Sequence, residues 1–148
     1  MFRGSSEAKV DEKGRLKIPS GFKTLLDAGN ATQLYITSPD GTSAQIWPLQ
    51  AWEKQEKSLS ERNMDDAVEK YLLWTSYYGQ TVEIDSQSRV VLPQKLRDTA
   101  KLNAEVVVLG KLTYLEIHNE KQFEQRLAGN EMTADDRKTV AAVLRGNG

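Results

Sequence analysis

A nine-residue pattern occurs twice in this chain and constrains its fold more than any other feature. The first copy runs Asp11-Glu12-Lys13-Gly14-Arg15-Leu16-Lys17-Ile18-Pro19, the second Asp85-Ser86-Gln87-Ser88-Arg89-Val90-Val91-Leu92-Pro93. Aspartate, arginine, two alternating apolar residues and a proline recur in register. A repeat of this kind makes half the chain the folding unit. One such half, about seventy residues, is marginal for a self-sufficient core. The two copies are therefore expected to share a core, or several chains to do so.

Around the first copy the apolar residues recur with a period of two. Ala8 and Val10 face one side, and Glu7, Lys9 and Asp11 the other; Leu16 and Ile18 then oppose Arg15 and Lys17. This predicts two short strands with one apolar and one charged face. Glu12-Lys13-Gly14 reads as a tight turn, because Gly14 reaches positive φ without steric cost. Pro19 has no N–H for a ladder and ends the second strand. Phe22, Leu25 and Leu26 then predict a short helix, capped by Ser20 and ended by Gly29. Residues 34–37 and 44–47 flank the turn signal Pro39-Asp40-Gly41 as a strand pair. Pro48 reads as the first residue of a helix carrying Leu49, Trp52 and Leu59.

The second half repeats this order. Val82 and Ile84, then Val90 and Leu92, alternate with polar neighbours. Leu96, Ala100 and Leu102 mark a short helix after Pro93, and residues 106–109 and 114–117 are strands. Asn119 caps a helix bearing Phe123 and Leu127. Between the halves, Asp65 to Trp74 starts acidic and becomes apolar, as does a rigid helix entering a core. After Gly129-Asn130, Thr133 to Asp136 has capping-box spacing, and the helix behind it carries Val140, Val143 and Leu144. The expected organisation is a first repeat over residues 1–62, a connecting helix over 63–79, a second repeat over 80–128 and a C-terminal tail or helix over 129–148.

Composition excludes several function classes. The chain has no cysteine, which removes disulfides and zinc-thiolate sites. Residues 1–7 lack the apolar stretch of a signal peptide, and no apolar run approaches a membrane span. His118 is the only histidine. It has no metal-ligand spacing and reads as a surface residue at a strand end. Phosphate-loop, dinucleotide and nucleophile-elbow motifs are absent, so no catalytic residue, metal, cofactor or small-molecule substrate is expected. Asp11 and Asp85 read as turn-ordering residues or partners of Arg15 and Arg89, not as an acid–base pair. Trp47, Trp52 and Trp74 occupy apolar positions suited to a core or a subunit interface.

Charge is unevenly spread. The net charge is −1, yet residues 1–25 hold six cations (Arg3, Lys9, Lys13, Arg15, Lys17, Lys23) against Glu7, Asp11 and Glu12. An arginine just after a turn can reach guanine O6 and N7 in the major groove, and flanking lysines can neutralise phosphates. Taken alone, the same side chains are what a solvated strand face carries.

The opening Met1-Phe2-Arg3-Gly4, both motif copies, Trp47-Pro48-Leu49 with Trp52-Glu53, and Val106-Val107-Val108-Leu109-Gly110 together resemble the MraZ family over about residues 1–128. The resemblance implies an α+β fold: a tandem-repeat, swapped-hairpin (AbrB/MraZ-like) small β-barrel with flanking helices and a pseudo-two-fold. It implies a cytoplasmic, nucleoid-associated repressor that binds double-stranded DNA as a homo-oligomeric ring. Its operators would be direct repeats in the promoter of the division and cell-wall gene cluster. The DNA-binding role carries over to Lys13, Arg15 and Lys17, less directly to Lys9, and to Arg89 in the second copy. That copy departs from the pattern: Ser88 replaces the turn glycine, Gln87 stands for Lys13, and Val91 for Lys17. A differently shaped second turn and a poorer DNA reader are expected from it. Two other readings compete, an oligomeric scaffold without DNA binding and an AbrB-like antitoxin.

Overall fold

The computed structural model describes residues 1–147. The first copy supplies β1 (Ser5–Lys9), β2 (Arg15–Lys17), α1 (Ser20–Ala28), β3 (Gln33–Thr37), β4 (Ala44–Pro48) and α2 (Leu49–Ser60). After α3 (Asp66–Tyr77), the second copy supplies β5 (Gln80–Glu83), β6 (Arg89–Val91), α4 (Gln94–Ala100), β7 (Glu105–Gly110), β8 (Leu115–Asn119) and α5 (Glu120–Ala128). A last helix, α6 (Ala134–Ala142), runs into a π-type turn over Val143–Asn147.

The tight turn after Asp11 is present, but the strands flanking it separate after one bridge, Val10 to Leu16. Each continues into the other copy. β1 pairs antiparallel with β7, and β5 with β3. β2 pairs with β6 as a separate two-stranded ribbon. The main sheet has the order β1-β7-β8-β4-β3-β5. Exchanging the two copies leaves this order unchanged, which places a pseudo-two-fold axis between β4 and β8. The reason is burial. Leu16 and Val90 meet across the ribbon, and with Ile18 and Leu92 they are almost fully enclosed. The same core takes in Leu34, Ile36, Ile46, Val106, Val108, Leu115 and Ile117.

Several expectations need correction. Ser20 does not cap α1. Pro19 stands at the cap position with extended ψ, no side chain caps the helix, and the Ser20 carbonyl accepts a bond from Thr24 Oγ1 at 2.9 Å. Pro48 likewise ends β4 and precedes the first helical residue, because a cap residue is not yet helical. The connecting helix α3 is capped by Asp65 as its sequence indicates, but it does not enter the core. Thr75 is its one buried residue, and the Thr75 carbonyl accepts the hydroxyls of Tyr35 and Thr37 at 3.0 and 2.6 Å. These polar contacts hold the helix against β3 and leave Leu73, Trp74 and Tyr77 exposed. The expected capping box of α6 forms in both directions between Thr133 and Asp136. Its Val140, Val143 and Leu144 are exposed too.

His118 is not a surface residue; it is 5% exposed. Its Nε2 lies 2.6 Å from Glu116 Oε1 and its Nδ1 2.9 Å from Arg126 Nη1, while Phe123 packs on the ring. The first copy explains this. Trp47 Nε1 donates to Gln45 Oε1 at 3.0 Å, and Trp52 packs on the Trp47 ring. A buried aromatic ring nitrogen bonded to the side chain two residues earlier, on the same strand face, is thus a feature of both repeats.

Candidate nucleic-acid interface

The turn that opens the β2–β6 ribbon is built around one carboxylate. Asp11 Oδ1 accepts the backbone N–H groups of Lys13 and Arg15 at 3.0 and 2.8 Å. Asp11 Oδ2 accepts Arg15 Nε at 2.6 Å. The backbone closes with Gly14 N–H donating to the Asp11 carbonyl at 2.9 Å. The Arg15 backbone N–H, above all, holds the Asp11 carboxyl below the usual carboxylate range. With its Nε tethered, the Arg15 guanidinium is left with its two terminal nitrogens for a planar, bidentate acceptor.

The second copy reproduces this turn despite its substitutions. Asp85 accepts the N–H groups of Gln87 and Arg89 at 2.8 and 2.9 Å and Arg89 Nε at 2.9 Å. Its carboxyl is lowered by the same leading cause, the Arg89 backbone N–H. The expectation of a different shape is wrong: Ser88 adopts φ 62°, beside 80° at Gly14. The serine takes the left-handed conformation because the turn's hydrogen bonds and the partner copy fix it there. Ile18 N–H donates to the Ser88 carbonyl at 2.8 Å, and symmetrically Leu92 N–H to the Gly14 carbonyl at 2.9 Å.

The two glycine positions are nevertheless not equivalent. A Cβ on Gly14 would collide with the guanidinium of Arg97, whose Nε donates to the Leu92 carbonyl at 3.0 Å. In the first copy the corresponding cation is Lys23, whose ammonium turns to Asp27 at 2.7 Å. Arg97 thus lies against the first copy's turn although the second copy supplies it. Sequence reasoning missed it. The signal was a cation four residues after the proline in both copies, Lys23 after Pro19 and Arg97 after Pro93.

Register decides which candidate residues come together. Leu16 and Val90 point inward, so Arg15, Lys17, Arg89 and Val91 share the outward face of the ribbon. Arg15 lies opposite Val91, and Lys17 opposite Arg89. Arg89 is therefore on the same surface as Arg15 and Lys17, not on a separate hairpin. Lys13 stands exposed at the turn tip. Lys9 is elsewhere: it ends β1 in the main sheet, opposite Glu105, with its Nζ 3.5 Å from that carboxylate. Among the described residues no group of three or more histidine, aspartate or glutamate side chains could hold a metal ion.

The family model described as "MraZ protein, putative antitoxin-like" matches residues 1–74 and 79–143. A protein named transcriptional regulator MraZ from Acidobacterium capsulatum is 49% identical over 142 residues, covering 95% of this chain and 97% of the relative. Its namesake from Koribacter versatilis is 37% identical over 143 residues with the same coverage. The one from Thiobacillus denitrificans is 34% identical over 131 residues, covering 86% of this chain and 87% of the relative.

Proposed function

The chain belongs to the MraZ family of transcriptional regulators and is not an enzyme, and from that premise we propose that it binds promoter DNA through the outward face of the β2–β6 ribbon. The observation that carries this reading is the Asp11-tethered Arg15 beside Lys17 and Arg89 on one narrow ribbon. A two-stranded ribbon fits the major groove, and a guanidinium held at Nε offers its free edge to guanine O6 and N7. Lys13 and Lys17 neutralise flanking phosphates, and Arg89 reads or steadies the neighbouring position. Lys9, ion-paired on another sheet, contributes least.

One protomer offers about four cationic contacts, which gives weak and strongly salt-dependent binding. Affinity then comes from several protomers on adjacent boxes. Two exposed apolar helix faces support self-association: Leu73, Trp74 and Tyr77 on α3, and Val140, Val143 and Leu144 on α6 and its terminal turn. We propose that one copy's α6 docks on the next copy's α3, apolar face to apolar face. Such a contact joins two different surfaces, which gives a ring where the rotation between neighbours closes and an open filament where it does not; we propose the closed ring. The ring occupies direct repeats upstream of the division and cell-wall genes, its own among them, and represses by excluding polymerase. It works in the cytoplasm at the nucleoid; among the described residues no helix is long and apolar enough to cross a membrane.

The test is fluorescence anisotropy of wild type and Arg15→Ala on the region upstream of the protein's own gene, at two salt concentrations. Loss of at least tenfold affinity in Arg15→Ala is expected, with a wild-type salt slope steeper than the roughly −4 one protomer's contacts allow. No binding by folded wild type would refute the reading in favour of a scaffold. Full retention in Arg15→Ala would refute the surface.

A further inference from the structure

We infer that Val91 reads a thymine methyl group, and that the box bound by one ribbon therefore has a direction. This rests on the DNA-binding reading above. The pseudo-two-fold relates Arg15 to Arg89 and Lys17 to Val91. If all four outward positions matched, the ribbon would present the same chemistry from either end and would suit a palindrome. They do not match. One end carries Arg15 opposite Val91, the other Arg89 opposite Lys17.

Val91 is 51% exposed, on a face whose three other outward residues are cations. A lone exposed valine is unremarkable on most surfaces. Here its position gives it a role. Directly opposed residues in an antiparallel pair have Cβ atoms about 5 Å apart, and stacked base pairs are about 3.4 Å apart. The Val91 methyls thus fall one or two base steps from whatever Arg15 contacts. The apolar group displayed in the major groove is the C5-methyl of thymine. Val91 has no donor or acceptor to offer a base edge or a phosphate, so that methyl is the group it can recognise. Lys17, at the related place, is a donor with no acceptor and a positive charge. It serves a phosphate or a guanine equally well and is indifferent to a methyl. One end of the ribbon therefore selects a guanine with a thymine one or two base steps away, and the other end selects guanine with a phosphate clamp.

The experiment uses the full chain and the duplex it protects upstream of its own gene, located by footprinting. Each thymine is replaced in turn by deoxyuridine, at the same place in every protected repeat, and affinity is read by anisotropy. Deoxyuridine removes only the methyl. One position should weaken wild type by about fourfold per box, the value of one buried methyl-sized group. Val91→Lys should bind the unmodified duplex with a salt slope steeper by about one per box and show no response to deoxyuridine at that position. Val91 is half exposed on the ribbon's outer face, and an unchanged unfolding midpoint confirms that the variant folds. A flat deoxyuridine series in a wild type that binds well would overturn this inference alone. A response that persists in Val91→Lys would assign the methyl to another residue and overturn it too. Failure of wild type to bind the intact duplex, read first, would overturn the DNA-binding reading beneath it.

Discussion

Exchanging the two turn residues should move stability in opposite directions. Ser88 holds φ 62° in a turn that Gly14 makes at φ 80°. A non-glycine residue in the left-handed region costs about 1.5 kcal/mol. Ser88→Gly removes that cost but gives the unfolded chain more freedom, worth about 0.7 kcal/mol against folding. The net is a stabilisation of about 0.8 kcal/mol. For a chain of this size that raises the melting temperature by about 2–3 °C. Gly14→Ser incurs the same terms with reversed sign and adds a collision: the new Cβ meets the Arg97 guanidinium and displaces it from the Leu92 carbonyl. One lost charge-assisted bond at a half-buried site adds about 1 kcal/mol. The total destabilisation is about 2 kcal/mol. The assay is urea unfolding of both variants and wild type, without DNA and at one fixed protomer concentration, because the proposed self-association would shift the midpoint with concentration. If Ser88→Gly lowered the midpoint, or Gly14→Ser left it unchanged, the account of the two turns would be wrong.

Other consequences follow from the same geometry. Leu16→Ala empties a fully buried position on the shared ribbon and should cost about 2–5 kcal/mol. Unfolding should stay a single transition, since each copy's strands sit in the other's sheet; two resolved transitions in calorimetry would contradict the swap. Asp11 and Asp85 both have lowered folded pKa values, so the stability they confer is present above the ordinary carboxylate value of 3.8. It is lost as pH falls below that value through the folded one. The double variant Asp11→Asn, Asp85→Asn should flatten that acid limb in circular dichroism titrations, and an unaltered limb would mean other carboxylates dominate. Trp74→Asp places a charge on the exposed face of α3. It should reduce the mass measured by light scattering while the circular dichroism spectrum is kept; an unchanged mass would remove α3 from the interface.

Much of this molecule is legible in its sequence, for identifiable reasons. The period of two fixes the inward Leu16, Ile18, Val90 and Leu92, and the repeat fixes the matching order of elements. Asp11 and Arg15, four residues apart around a glycine turn, read correctly as a turn with an internal pair. What the strands pair with was not legible from periodicity, because alternation marks a face and not the neighbour that covers it. That is why Arg89, read as belonging to a second hairpin, lies opposite Lys17. Apolar patterning also misled in α3. Asp65 to Trp74 reads as a helix entering a core, yet polar contacts to the Thr75 carbonyl hold the helix and leave Leu73 and Trp74 outside, so of the two readings of Trp74, core or subunit interface, the core one is excluded. The Ser88 turn was misread for a different cause: residue preference is local, whereas the Ile18 bond that helps hold its φ comes from the assembled fold. His118 was misread because its alignment with Trp47, not its own residue type, marks it as buried.

The central claim is that the outward face of the β2–β6 ribbon, drawn from both copies, meets DNA. Hydrogen–deuterium exchange with and without the upstream duplex tests it most directly. The account predicts slowed exchange in both residues 11–19 and 85–93, with α2 and α5 unchanged. Protection confined to other segments, or to one copy of the motif alone, would contradict it.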